Sequence, residues 1–380
     1  MTIAQKTGPI LGTALQGPTL HTIPSSVAAN VAAVRAWTRA RIMAVVKADG
    51  YGHGAVPVAL AAVAAGAEQL GVTDATEGSA LRTAGLTVPI VAWLHPSGID
   101  AERAAADRID VAVGSVDELR QLIADAGSLG EPGIRVHLSV DTGMARGGCP
   151  STDWEELFRV ARAGHGLGRI EVVGLMGHLP LADRAEPGLN RPAVARMEAA
   201  VRSSHSAGLG RLTKHLAATS GALTDPATHF DMVRIGAGLV GIDPSGSVAL
   251  AGASRLTAPI VHTASVGQGT AVGYGWSHVS ARPTHLSVVG LGYADGIPRA
   301  LSRRAAVHVD GRRHPIVGRV SMDQIVIDTG DVAYPRGTVA TVFGPEGGAV
   351  PSIHEWAAWS DTIPHTIVTG IGPRVKRSIT

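Results

Sequence analysis

Residues 41–54 read RIMAVVKADGYGHG, and this stretch shows the unit from which the fold is built. Residues 41–46 form a short, mostly apolar run, as expected for a parallel strand that is buried on both faces. Lys47 follows this run at once, and a turn rich in glycine comes next. A charged residue directly after a buried strand is typical of the C-terminal end of a barrel strand, where the chemistry of such folds is found.

Similar strands recur through the first two thirds of the chain. Short β-branched runs alternate with helix-like segments such as Val116–Ala126, Trp154–Ala163 and Pro192–Ala207. This alternation predicts a parallel sheet, and a count of eight strands predicts a closed (β/α)8 TIM-like barrel rather than an open sheet. The predicted strands are Arg41–Val46, Gln69–Thr73, Val88–Leu94, Ile109–Val113, Ile134–Val140, Val172–His178, Lys214–Thr219 and Asp231–Ile235.

A different pattern begins at about residue 245. Apolar and polar residues alternate there, and turn signals such as Asp310-Gly311 separate the runs, which predicts a mainly antiparallel β domain. One helix-like piece, SIHEWAAWS at 352–360, interrupts the strands. We therefore expect a flexible N-terminal extension over 1–17, a barrel domain over 18–245 and a C-terminal β domain over 246–380.

The composition excludes several classes of protein. The 380 residues are 45% hydrophobic and 17% charged, so the chain can bury a sizeable core. The 33 basic and 31 acidic residues nearly balance, which argues against a nucleic-acid partner. A single cysteine, Cys149, allows no disulfide within the chain and fits a reducing compartment. Neither a signal peptide nor a membrane span is visible, so we expect a cytoplasmic protein that binds no membrane.

Polar residues stand at the predicted C-terminal ends of most barrel strands. Any one of them can be a solvated strand end or a helix cap, but their convergence on one rim predicts an active site. Lys47 is the most informative, because a partly buried lysine has a lowered pKa and its neutral amine can form a Schiff base with an aldehyde. The full set is Lys47, Asp74, His95, Asp141, His178, Thr219 and Arg234.

Seven motifs resemble those of the alanine racemase family. AVVKADGYGHG at 44–54 is similar to the pyridoxal-phosphate signature of that family, and the resemblance extends from Pro18 to Arg377. It implies a barrel followed by a β domain, and an isomerase that uses pyridoxal 5'-phosphate on a small amino acid, most simply alanine. The other motifs are VDTGMARGG (140–148), VVGLMGH (172–178), FDMVRIG (230–236), GYADGIPR (292–299), VGRVSMDQ (317–324) and IGPRV (371–375).

The resemblance assigns cofactor roles to individual residues. Lys47 matches the lysine that binds the cofactor covalently and serves as one of two catalytic bases, and Arg234 matches the arginine that faces the pyridine nitrogen. Because a guanidinium only donates hydrogen bonds, that nitrogen stays unprotonated and the ring is a weaker electron sink, which suits removal and return of one proton. The residues matched to the cofactor phosphate are Tyr51, Thr219, Gly236 and Ala237.

Racemisation requires a base on each face of the substrate, and Tyr274 in AVGYGWSH (271–278) matches the second base of the family. In the family this tyrosine acts in the active site of the partner subunit, so the resemblance implies a homodimer with shared sites. His178 and Arg234 match the polar chain that supports the tyrosine, with Asp323 beyond. The residues matched to the substrate carboxylate are Arg146 and Met322, and those matched to the entry corridor are Tyr293 and Arg299.

Four positions depart from the family pattern. Ser139 stands where most relatives have a lysine, often carboxylated, that restrains the substrate-binding arginine, and a bound anion such as chloride is our hypothesis for its replacement. Ala218-Thr219 replaces the usual Asn-Ser, so that Ser220 competes with Thr219 for the phosphate. His365 replaces a tyrosine, and Ile235 replaces a proline. These changes predict a broadened or shifted substrate range, for example serine beside alanine.

Two other readings stay open at this point. Altered residues near the carboxylate are compatible with a related enzyme that uses the same cofactor for aldol-type cleavage of a small amino acid. A non-catalytic protein that binds pyridoxal phosphate is the third possibility, although the β domain and Tyr274 argue against it. Metal hydrolysis fits poorly, because the sixteen histidines show neither an H-E-x-x-H motif nor close Cys/His spacing.

Overall fold

The structure is a computed structural model, and it describes residues 16–129, 133–186, 188–345 and 347–380. The expected flexible extension over 1–17 falls almost wholly outside the described residues. The chain divides into two compact units. The barrel unit comprises Thr22–Ser254, Pro364–Thr369 and Ile379–Thr380, and the β unit comprises the described residues up to His21 with Arg255–Ile363 and Gly370–Ser378.

Eight parallel strands close the barrel, which confirms the predicted fold class. Each strand pairs with the next one, and the last strand pairs with the first through Met43 and Arg234. Numbered after β1 (Thr19–Thr22), they are β2 (Arg41–Val45), β3 (Gln69–Val72), β4 (Ile90–Ala92), β5 (Ile109–Val113), β6 (Ile134–Ser139), β7 (Ile170–Met176), β8 (Thr213–His215) and β9 (Met232–Ile235).

All the predicted barrel strands except Ile109–Val113 differ from the observed ones in at least one boundary, and two of these differences move a predicted site residue off its strand. β7 starts and ends two residues earlier than expected, so His178 lies in the loop beyond the strand. β8 is shorter than the predicted Lys214–Thr219, because the backbone leaves the sheet after His215. The Leu216 carbonyl then accepts a hydrogen bond from the Arg234 guanidinium at 3.1 Å. Thr219 consequently begins a short helix instead of ending a strand.

Three α-helices of the barrel unit begin at polar N-caps. Asp74, Asp100 and Ser115 each accept hydrogen bonds from backbone N–H groups of the following first turn. Helix Val116–Ala126 was predicted with the bounds that are observed. The other right-handed α-helices in the described part of this unit are Pro24–Arg35, Ala55–Ala64, Ala75–Thr83, Ala101–Ala106, Trp154–Gly166, Arg191–Ser206, Thr219–Thr224 and Pro364–Thr369.

Side chains fill the interior of the barrel. An apolar cluster of buried residues lies there, and the rings of Tyr51 and Trp93 pack against it. Gly71 is required beside Trp93, because a Cβ at that position would lie 2.4 Å from the indole ring. The cluster consists of Met43, Val45, Val91, Ala112, Met176 and Met232. A filled barrel leaves the C-terminal rim as the place where a ligand can bind.

The β unit is built on one eight-stranded sheet, as the alternating pattern predicts. Its order is β13-β16-β15-β14-β17-β10-β1-β18, and β10 also pairs with β13. A separate two-stranded sheet joins β11 and β12. The strands are β10 (Ser254–Val266), β11 (Ala271–Val272), β12 (His278–Val279), β13 (Thr284–Val289), β14 (Ala306–Val309), β15 (Arg312–Val317), β16 (Ile325–Gly330), β17 (Val339–Phe343) and β18 (Lys376–Ile379).

Two local signals in the β unit have the predicted structure. Asp310 and Gly311 both have positive φ, at 46° and 79°, and they join β14 to β15 in a tight hairpin. Helix Ile353–Trp359 starts at a capping box in which Ser352 and Glu355 satisfy each other's backbone N–H groups. Nowhere in the described ranges is there a helix that combines the length and the apolar character needed to cross a membrane.

Candidate active site

Lys47 lies on an unusual turn at the C-terminal end of β2. Ala48, Asp49, Gly50 and Tyr51 all have left-handed backbone angles, with φ between 52° and 61°. Each residue other than glycine costs roughly 1–2 kcal/mol in this conformation. Backbone strain of this size persists only where the surroundings enforce it, and it is concentrated at functional sites.

Contacts from distant parts of the barrel unit hold the left-handed turn in place. The Glu77 carboxylate accepts hydrogen bonds from the backbone N–H of Ala48 at 2.8 Å and of Thr73 at 2.7 Å, and so joins the ends of β2 and β3. On the other side, a Cβ at Gly52 would lie 2.3 Å from the Val368 carbonyl oxygen. Helix Pro364–Thr369 therefore packs directly against the turn.

The surroundings of Lys47 favour a neutral amine. Burial lowers the pKa of Lys47, the positive charges of Arg146 and Arg234 lower it further, and the Glu77 carboxylate opposes them. The net effect is a lowered pKa, which is the direction required of a lysine that forms a Schiff base. A lowered pKa makes the amine of Lys47 more readily available as a nucleophile or as a base than the amine of an exposed lysine.

Arg234 is buried and almost fully engaged by acceptors. Its Nη1 donates to the His215 carbonyl at 2.8 Å and contacts His215 Nδ1 at 3.1 Å. Its Nη2 donates to the Gly177 carbonyl at 2.7 Å and contacts His178 Nδ1 at 3.1 Å. Burial lowers the pKa of Arg234 to about 10, so the guanidinium stays charged at neutral pH. It offers only donors to anything that approaches.

His178 shows how positive the rim is. Burial, followed by the charges of Arg234, Arg146 and Lys47, lowers the pKa of His178 to about 3. This histidine is consequently neutral at neutral pH, and its Nδ1 accepts from Arg234. The guanidinium groups of Arg234 and Arg146 both act on this small region, which attracts an anionic cofactor or the carboxylate of a substrate.

A cradle suited to a phosphate lies after β9. A Cβ at Gly236 would lie 2.2 Å from the Tyr51 hydroxyl oxygen, so the phenol stands directly against this backbone. The Gly238 N–H donates to Thr219 Oγ1 at 3.1 Å, which leaves the threonine proton free to donate elsewhere. Within the described ranges, the N–H groups of Gly236 and Ala237 meet no backbone acceptor.

Ser220 is less suited to the phosphate role than Thr219. Its hydroxyl donates to Asp243 Oδ1 at 3.4 Å, and this carboxylate also accepts from Ser245. His365, the second departure at this end, contacts the Tyr51 ring with 6.1 Å between ring centroids. Ile235 is fully buried as the last residue of β9.

The region of the predicted carboxylate clamp is open. Ser139 ends β6, and Arg146 is exposed on the loop that follows. Neither side chain has a hydrogen-bond partner within the part of the chain that the structure describes. The loop itself is well anchored, because Asp141 Oδ1 accepts from the N–H groups of Gly143, Met144 and Ala145.

The remaining predicted site residues belong to the β unit. Tyr274 is 67% exposed on a short turn between β11 and β12, and Met322 is 52% exposed. Asp323 pairs with Arg374 at 2.7 Å, and Arg374 also reaches the buried Asp295 at 3.2 Å. The loops that carry Tyr293 and Met322 are tied together, since Tyr293 N–H donates to the Ser321 carbonyl.

Some of the polar residues at the predicted strand ends stabilise the local structure. Asp74 caps helix Ala75–Thr83, Asp141 anchors its loop, and His95 bonds the Ala112 carbonyl at 3.3 Å. Sequence reasoning missed Glu77 and His215, which hold Lys47 and Arg234 in place. Glu77 stands three residues after the Asp74 cap, and this spacing signals a helix start but gives no indication of the bond to Ala48.

Comparison with known proteins agrees with this geometry over nearly the whole chain. Residues 24–244 match the family model "Alanine racemase, N-terminal domain", and residues 253–379 match "Alanine racemase, C-terminal domain". The alanine racemase of Salinispora arenicola (strain CNS-205) is 40% identical over 352 residues, which cover 92% of this chain and 94% of that protein.

Solved structures give the same result. The crystal structure of alanine racemase from the D-cycloserine producing Streptomyces lavendulae is 36% identical, has a TM-score of 0.91, and is aligned over 97% of this chain and 98% of that one. The alanine racemase from Bartonella henselae with covalently bound pyridoxal phosphate is 26% identical, with a TM-score of 0.83 over 96% of this chain and 100% of that one. This chain therefore belongs to the alanine racemase family.

Proposed function

We propose that this chain is a pyridoxal-phosphate-dependent racemase that interconverts L- and D-alanine, with Lys47 and Tyr274 as the two bases. The single observation that carries the proposal is the pairing of a lysine of lowered pKa with a buried, donor-only Arg234 on one barrel rim. Family membership supports the reaction, and the geometry supports the residue roles.

The residues at the rim fit pyridoxal phosphate. The Tyr51 hydroxyl, the Thr219 hydroxyl and the N–H groups of Gly236 and Ala237 form donors for a phosphate. Lys47 would hold the aldehyde carbon, and Arg234 would donate to the ring nitrogen. When bound, the cofactor supplies a conjugated ring that accepts electron density from the Cα–H bond of the substrate.

Two proton carriers are required, one on each face of the substrate. In one direction of the reaction Nζ of Lys47 can take the proton from Cα on one face while the opposite face receives a proton from the second carrier, and in the other direction Nζ delivers the proton. Within the proposal, the Tyr274 hydroxyl serves the opposite face. Arg234 donates only, so it disfavours a long-lived negative charge on the cofactor ring and limits side reactions.

We infer that Tyr274 is contributed by a second copy of the chain. The β unit exposes the large side chains of Tyr274, Trp276 and Met322, and burying such apolar surface favours association. A homodimer buries them and brings Tyr274 to the Lys47 of the other subunit. The Met322 backbone and Arg146 would then hold the substrate carboxylate together.

The substrate range is the part of the proposal that depends on Ser139. A short, neutral serine cannot restrain Arg146 as a carboxylated lysine does, and Arg146 has no partner within the described ranges. An anion such as chloride would supply the missing negative charge. We propose alanine as the main substrate and serine as a second one.

The test is an assay of the purified enzyme in deuterated water with L-alanine and, separately, L-serine. Racemisation predicts deuterium at Cα in both enantiomers, without release of a smaller carbon fragment. Lys47→Ala should abolish the exchange and the absorbance of the bound cofactor. Carbon–carbon cleavage would favour the aldol-type reading, and bound cofactor without any exchange would favour the non-catalytic one.

A further inference from the structure

A line of polar groups runs through the interior of the barrel, away from the phosphate cradle. His215 Nδ1 faces Arg234 Nη1 at 3.1 Å, and His215 Nε2 faces His137 Nδ1 at 2.9 Å. His137 Nε2 then faces Asp110 Oδ2 at 3.4 Å, and the other oxygen of Asp110 accepts from Arg135 Nε at 3.0 Å. The first four residues are at most 5% exposed.

The barrel is shaped to admit this line. A Cβ at Gly174 would lie 2.0 Å from His137 Nδ1, so only glycine on β7 leaves room for the imidazole. The pairing of β6 with β7 also shifts in register between Val136 and His137. Both features place a polar ring where an apolar side chain would otherwise fill the core.

Each hydrogen bond in the line has only one possible direction. Arg234 can only donate, so His215 Nδ1 accepts and His215 Nε2 carries the proton. That proton is donated to His137 Nδ1, and His137 Nε2–H is left to donate to the Asp110 carboxylate. A cationic His137 would place a donor against His215 Nε2–H, so both rings are neutral. Burial and the charge of Arg234 lower the pKa of His215 well below its usual value, which agrees with a neutral ring.

We propose that Asp110 is a positioning residue for the reaction: its carboxylate sets the tautomers of His137 and His215, and thereby keeps an acceptor facing Arg234. The inference rests on the proposed role of Arg234 at the cofactor ring. Among the described residues no carboxylate bonds Arg234 itself, and Asp110 is the carboxylate at the end of its hydrogen-bonded line.

The substitution Asp110→Asn is expected to reverse the direction of the hydrogen bonds along this line. Arg135 is a charged donor, so the carbonyl oxygen of the new amide turns toward Arg135 and its NH2 group turns toward His137. His137 Nε2 must then accept, the protons shift along the line, and His215 presents Nδ1–H to Arg234. Two donors then face each other in a buried site, which displaces the guanidinium.

The first measurement is made on the cofactor-free protein. Nitrogen NMR of histidine-labelled chains distinguishes the two tautomers, because protonated and bare ring nitrogens resonate far apart. Wild-type His137 and His215 should both carry the proton on Nε2, and Asp110→Asn should move it to Nδ1 on both rings. His137→Gln and His215→Gln spectra assign the signals. Unchanged tautomers in Asp110→Asn would overturn the proposal.

The second measurement is the kinetics of the holoenzyme. Asp110→Asn should lower kcat at least about tenfold, the equivalent of one hydrogen bond to a charged group, with little change in KM. Adding Arg135→Gln should recover most of that loss, because a glutamine carbonyl can accept from the amide and free its oxygen for His137. A merely structural role for Asp110 would give no such recovery.

Glu171→Gln is the matched control. It removes the 3.1 Å ion pair of Arg135 on the outer side but leaves Asp110 and His137 unchanged. Wild-type tautomers and kcat are expected for this variant. A double variant that is folded yet no faster than Asp110→Asn would contradict the proposal. Absence of racemisation in the wild type would instead defeat the proposed function, while the NMR result would still decide the role of Asp110.

Discussion

Tyr51 is the residue for which burial has the plainest chemical consequence. Burial raises the pKa of Tyr51 to about 12, so the hydroxyl keeps its proton at neutral pH and can donate to a phosphate. Tyr51→Phe should weaken binding of pyridoxal phosphate by about 10- to 100-fold, since one hydrogen bond to a charged group contributes about 1.5–3 kcal/mol. Cofactor absorbance during titration measures the affinity.

Tyr334→Phe is the control for this prediction. The Tyr334 hydroxyl bonds His314 Nε2 at 3.1 Å inside the β unit, so its loss affects stability and leaves the phosphate cradle unchanged. Equal cofactor affinity in the two variants would mean that the Tyr51 hydroxyl does not bind the phosphate.

His178 gives a pH dependence of stability with a defined sign. Its pKa is about 3 in the folded chain against 6.5 in the unfolded chain, because burial and the neighbouring cations disfavour its charge. Between these values the unfolded chain binds a proton that the folded chain does not. The free energy of unfolding therefore falls as pH falls through this window, by up to about 1.4 kcal/mol per pH unit for this group.

The prediction for His178→Asn is a shallower slope. Urea unfolding of the cofactor-free protein at several pH values between 4 and 6.5 should show a dependence on pH that is smaller by up to one proton. An identical slope in wild type and variant would mean that His178 is charged in the folded chain.

At the scale of elements, the left-handed turn after β2 depends on Glu77. In Glu77→Gln an NH2 group replaces one acceptor, so the N–H of Ala48 or of Thr73 loses its partner. The expected loss is about 1–3 kcal/mol in the free energy of unfolding. Because the Glu77 carboxylate also raises the pKa of Lys47, its removal should lower that pKa further. Chemical denaturation and the pH dependence of Lys47 acylation measure the two effects.

Glu118→Gln is the matched variant on another strand. Glu118 accepts from the Gly114 N–H at 2.8 Å, after β5, in the same way as Glu77 accepts from Thr73 after β3. It should reduce stability but leave the pKa of Lys47 unchanged. If both variants change Lys47 alike, the specific contact with Ala48 is not what sets its environment.

The elements also show where sequence reasoning succeeds. The eight barrel strands and the Asp310-Gly311 hairpin follow from local patterns, because β-branched runs and turn residues act over a few positions. The early end of β8 does not follow from a local pattern, because residues 216–218 are as apolar as the residues of a strand. The backbone of these residues leaves the sheet where the Arg234 guanidinium donates a hydrogen bond to the Leu216 carbonyl.

The backbone that carries Lys47 was beyond prediction for the same reason. Glycines in the motif indicate a turn, but local propensity gives no cause for positive φ at Ala48, Asp49 and Tyr51. The contacts that enforce it come from Glu77 and from helix Pro364–Thr369, which are far away in the chain. The motif thus indicated Lys47 as the candidate catalytic lysine, whereas the contacts that hold its turn in place are visible only in the tertiary structure.

For the molecule as a whole, each proposed active site requires two copies of the chain. Lys47 belongs to the barrel unit, whereas Tyr274 is two-thirds exposed on the β unit. If Tyr274 serves the other subunit, two inactive variants can complement each other. If it serves its own chain, they cannot, because every site then carries one defect.

The most direct test is therefore a heterodimer of Lys47→Ala and Tyr274→Phe, isolated with a different affinity tag on each chain and assayed for racemisation of alanine. Each parent should be nearly inactive as a homodimer. The heterodimer contains one site with both bases and one with neither, so about half of the wild-type activity is expected. A purified heterodimer as inactive as its parents would contradict a shared two-base site.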